Sequence, residues 1–131
     1  MKHINEANQS KPNTTALQIN GEKLRLVKSL VQNLNYLLTM NQVKLSSFTT
    51  SPNGKQEIDQ ATKWAIQQGK LLINGLDIND LAQLGRNASN ILKFTYEVIN
   101  YLQPLYQKWL PHDKIPITLT NSIDLYKKIV S

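Results

Sequence analysis

From Leu81 to Trp109 apolar residues return every three or four positions: Leu81, Leu84, Ala88, Ile91, Leu92, Thr95, Val98, Ile99, Leu102, Leu105, Tyr106 and Trp109. At 3.6 residues per turn, this spacing gathers them along one side of an α-helix, so the stretch predicts a long helix with a single apolar stripe. Such a helix gains most of its stability from packing that stripe against something else. The rest of the chain has to supply the covering surface.

Two further stripes do so. Leu24, Val27, Leu30, Val31, Leu34, Leu37 and Leu38 follow Asn20 and Gly21 with the same rhythm. Ile58, Ala61, Ala65, Ile66, Leu72 and Ile73 follow the stretch SSFTTSPNGKQ, whose Pro and Asn-Gly pair favour a turn. Gly69 is costly inside a helix and points to a close crossing there. Gly75 ends this helix, and Asn79 or Asp77 offers the cap of the next. Beyond Pro111 and Pro116, the residues NSIDLYKKIVS predict a short last helix capped by Asn121 or Ser122, with Ile117–Leu119 open to an extended reading. The expected fold class is therefore all-α, a helical bundle of three main helices plus a short C-terminal helix. Residues 16–131 form its single domain, and the polar residues 1–15 form a flexible arm. Segment 111–131 reads either as core or as a docking tail.

With 131 residues, one core is the expected number. There is no cysteine, hence no disulfide framework and no thiolate chemistry. The first fifteen residues lack the apolar run of a secretory signal, and no run of about 18 apolar residues suggests a membrane span, which leads to a cytoplasmic expectation. The formal charge of +6 favours an anionic partner. Its distribution is uneven: six cations face two anions over residues 1–50, five face five over 51–97, and four face two over 98–131.

Chemistry-bearing residues are sparse. His3 and His112 are the only histidines and neither belongs to a spaced ligand set, so no metal is expected. The glycines are isolated and form no phosphate loop, so no cofactor is expected either. Arg86 is followed by NASNILKF without the histidine that marks HEPN-type helical ribonucleases. The expectation is a protein that is not an enzyme.

What remains is charge at helical spacing. Lys63 and Lys70 are seven positions apart, as are Arg86 and Lys93, so each pair lies along one face and is separated by about 10.5 Å of helical rise. Asn87 and Asn90 beside Arg86, and Gln67 between the two lysines, add neutral donors suited to phosphate contacts. Lys23, Arg25 and Lys28 form a second basic group. Trp64 and Tyr96 fall off the apolar stripes and are candidates for base stacking or partner contact. A face that is merely solvated explains the same polarity.

Taken with the small size, the bundle and the missing catalytic residues, this basic character resembles the small subunit of CRISPR type I Cascade effector complexes. The resemblance is one of overall character and has no diagnostic motif. It implies an antiviral-defence role, several copies per complex, neighbouring protein subunits as partners, and DNA or RNA backbone held by Lys63, Lys70, Arg86 and Lys93, with Lys23, Arg25 and Lys28 as a further group. The chain is also similar to bacteriocin immunity proteins, small basic four-helix proteins. That resemblance makes residues 111–131 a tail recognising a membrane receptor complex. A helical adaptor that contacts only protein is the third alternative.

Overall fold

A computed structural model describes residues 19–39 and 44–131, and the polar arm expected at 1–15 lies outside them. Four α-helices follow one another in chain order: α1 (Gly21–Thr39), α2 (Pro52–Ile73), α3 (Leu81–Trp109) and α4 (Ile117–Val130). A 3-10 turn at Leu45–Phe48 precedes α2, and another at His112–Lys114 lies between α3 and α4. No strand occurs among the described residues, so the fold is an all-α helical bundle.

Local chemistry sets the helix ends. Ser51 caps α2 by accepting a hydrogen bond from the Gly54 amide at 3.1 Å, and Pro52, whose φ is preset for helix, follows at the first position. The α2–α3 turn reverses at Gly75, where φ is +84°, a conformation that costs glycine little. Asp80 caps α3 by accepting from the Gln83 amide at 3.2 Å. The cap thus falls on Asp80 instead of Asn79 or Asp77; the Asp77 carboxylate accepts from the Asn79 amide inside the turn. α3 continues through Pro104 to Trp109, and α4 begins directly after Pro116.

The helices alternate in direction. Trp64 meets Tyr101 while Gly69 sits against Phe94, so α2 and α3 are antiparallel. Asn33 reaches Thr118 and Ser122 while Lys23 reaches Ser131, so α1 and α4 are antiparallel as well. The three stripes converge on one core that includes Val27, Leu30, Leu34, Ile58, Leu84, Ile91, Leu92, Val98, Leu102 and Tyr106. Gly69 is buried where α2 touches α1, and a Cβ there would collide with the Leu38 side chain. Leu81, expected on the α3 stripe, is 46% exposed.

The C-terminal segment belongs to this core. Leu119, Ser122, Tyr126 and Ile129 of α4 are buried against the bundle, and Ile117–Leu119 is its first turn, not an extended segment. Neither Asn121 nor Ser122 caps the helix, and the docking-tail reading of 111–131 gives way. Ser122 lies inside α4, where its hydroxyl donates to the Thr118 carbonyl at 2.8 Å.

Candidate nucleic-acid interface

α2 and α3 meet along a row of aromatic side chains. The Trp64 ring packs edge-on against Tyr101 with centroids 5.0 Å apart and lies 6.4 Å from Phe94. Next to this row, a shallow groove of about 250 Å³ is bordered by Gln68 and Leu71 of α2 and by Asn90, Lys93 and Glu97 of α3. Leu71, on this groove, is 81% exposed, and Tyr101, packed on Trp64 two turns of α2 away, is 39% exposed, so two separate apolar side chains face solvent. Arg86, two turns before Lys93, is exposed on the same face of α3. The Glu97 carboxylate, one turn beyond Lys93, offsets part of the local positive charge.

The two pairs of cations are not gathered in one groove. Lys93 borders the α2–α3 groove, whereas Lys70 lines a different cleft, between α2 and α1. Lys63 is exposed two turns before Lys70 on the same face of α2. The outer surface therefore carries two cationic rows, Lys63 with Lys70 and Arg86 with Lys93. Leu71 borders the α2–α3 groove with Lys93, and Tyr101 packs on Trp64 at the contact of the same two helices.

The group formed by Lys23, Arg25 and Lys28 divides. Lys23 Nζ donates to the Ser131 carbonyl at 3.2 Å, near the C-terminal end of α4, where the helix dipole favours a cation. Lys28 Nζ donates to Asn79 Oδ1 at 3.2 Å, in the turn between α2 and α3. Both lysines are half-buried and fasten α1 to neighbours, and Arg25 alone of the three is exposed. Trp64 and Tyr96 also separate: Trp64 belongs to the α2–α3 row, whereas Tyr96 packs 6.2 Å from Tyr126 at the α3–α4 contact. Tyr101, one of the aromatics the sequence offers for stacking and absent from the α3 stripe just as Tyr96 is, lies exposed in the α2–α3 row.

Elsewhere, polar groups serve packing. Trp109 Nε1 donates to Glu57 Oε1 at 3.1 Å, so this carboxylate at the start of α2 holds an indole. Burial pushes the Tyr106 hydroxyl pKa up against a weaker lowering by its 3.5 Å contact with Thr62. Tyr126 is pushed up to about 12, first by burial and then by neighbouring Tyr96. His112 is exposed in its 3-10 turn. Among the described residues no three of His, Cys, Asp and Glu gather as metal ligands would, and no helix is long and apolar enough to cross a membrane.

Compared with protein-family models, curated proteins and solved structures, the chain has no significant match in any of the three.

Proposed function

We propose that this protein is a non-catalytic helical subunit that holds a nucleic-acid backbone against the outer face of α3. The observation that carries the reading is the exposed Arg86–Asn90–Lys93 row, with exposed Leu71 on the groove that Asn90 and Lys93 border. Cations about 10.5 Å apart along a helix suit phosphates more than one nucleotide apart, and the exposed edge of Tyr101, about two turns beyond Lys93 on the same helix, suits an unpaired base. The Lys63–Lys70 row would extend the contact around α2 where a longer strand bends over that helix. Size, bundle and cationic rows also suit a subunit of the Cascade small-subunit kind, repeated along an assembly in the cytoplasm.

Fluorescence anisotropy with single- and double-stranded DNA and RNA oligonucleotides, titrated at several salt concentrations, tests this. Phosphate contacts release counterions, so affinity is expected to fall steeply and linearly on a log–log plot. A flat salt dependence, or no binding at low salt, overturns the reading.

A further inference from the structure

A cleft of about 840 Å³ opens between α1 and α2. The two helices touch where Gly69 meets Leu38. Below that contact the α2–α3 turn, with Leu76 and Ile78, closes the end of the cleft. Its apolar wall is aliphatic throughout: Val31 and Leu38 from α1, Ile66 and Ile73 from α2, and Leu76 and Ile78 from the turn. Among the described residues lining it Lys70 is the one charged group, and the amides of Gln32, Asn35 and Asn74 are neutral donors.

Three features restrict what fits. The volume lies in the range of small-molecule sites, which pair a mostly apolar lining with a few polar groups. Among the described residues no aromatic ring lines the cleft, and a wall of branched aliphatic side chains favours a flexible hydrocarbon. The single positive charge selects an anionic head and opposes a cationic one. We propose that this cleft binds a single-chain aliphatic carboxylate, its tail lying along Ile66, Ile73, Leu76 and Ile78 and its carboxylate meeting Lys70 Nζ. Lys70 faces away from the α2–α3 groove, so occupancy of the cleft leaves the Arg86–Lys93 row unobstructed.

The test is an NMR titration of the full-length, backbone-labelled protein with decanoate and, separately, with decyltrimethylammonium, each below its aggregation threshold. These share a tail length and carry opposite heads. Decanoate is expected to shift amides within residues 31–39 and 66–78 saturably, and decyltrimethylammonium to bind at least about fivefold more weakly, the discrimination expected of one solvent-accessible charge contact. Lys70→Glu, at an exposed position, is expected to reverse that order, and Lys70→Gln to bring the two affinities together. The proposal is overturned if decanoate leaves these amides unshifted, if wild-type protein binds both amphiphiles equally, or if decanoate binds Lys70→Glu as tightly as wild type.

Discussion

α1 meets α4 along a close seam with a shallow outer groove of about 390 Å³, and α2 across a wider cleft of about 840 Å³, although one stripe on α1 serves both. On the α4 side, small side chains allow close approach, and the Asn33 amide spans the seam, donating to the Thr118 carbonyl at 2.6 Å and to Ser122 Oγ at 2.7 Å. Ser122 and Ile129 are fully buried there. On the α2 side, Gly69 permits one close contact with Leu38, after which Ile73, Leu76 and Ile78 line open space. Helix length does not decide which contact closes. α4 has 14 residues and packs closely against α1, whereas α2 has 22 and leaves the wider cleft. The fit of side chains at the contact matters more, because buried apolar groups stabilise through close packing and a gap forfeits it.

Removing the seam has the largest expected effect. A chain ending at residue 119 loses the buried side chains of Ser122, Tyr126 and Ile129, and is expected to lose cooperative thermal unfolding by circular dichroism. A truncated chain that stays helical and melts sharply would return α4 to the status of an appendage. Single truncations sharpen the contrast. Ile129→Ala in the seam is expected to cost about 2–5 kcal/mol in urea denaturation. Ile73→Ala in the half-open wall of the cleft is expected to cost about 1 kcal/mol. Equal losses would mean that the cleft is as well packed as the seam. Asn33→Ala, which removes both bridging hydrogen bonds, is expected to cost about 1–2 kcal/mol.

The smallest change is expected at Tyr126. Its hydroxyl is buried with no hydrogen-bond partner among the described residues, so Tyr126→Phe is expected to leave stability unchanged or raise it by about 1 kcal/mol at neutral pH. The pH dependence is more telling. With the folded pKa near 12, above the ordinary value of 10.0, the unfolded chain releases its proton first. The associated stability is therefore complete below about pH 10 and is lost as pH rises towards about 12. Tyr126→Phe should remove that part of the alkaline loss in denaturation curves collected across this range, and Tyr106, shifted in the same direction, should retain its own part.

The sequence was most informative where one helix decides the outcome alone. The α3 stripe from Leu84 to Tyr106 is buried largely as its spacing predicts, because period and burial are properties of the same helix. α4 was harder to place. Pro116 reads as a breaker, yet a proline at a helix start loses no intrahelical bond, so the helix forms immediately after it. The basic residues show a different limit. Seven-residue spacing correctly places Lys63 with Lys70 and Arg86 with Lys93 along each helix, but the angle between the rows depends on how each core stripe turns its helix in the bundle. Lys23 and Lys28, close in sequence, differ by about 140° around α1 and reach different neighbours. Tyr101 is legible as an off-stripe aromatic; its place against Trp64 depends on α2 and α3 together.

A nucleic-acid backbone held against the outer face of α3, as proposed, would leave its mark on the salt slope of binding. Arg86→Gln with Lys93→Gln is expected to leave the fold intact, since both side chains are exposed, and to reduce the slope by up to about two units, one per lost phosphate contact. Lys63→Gln with Lys70→Gln, on the separate row of α2, is expected to reduce it less. An unchanged affinity and slope in the Arg86–Lys93 double variant, measured beside a wild-type protein that binds, would contradict the claim.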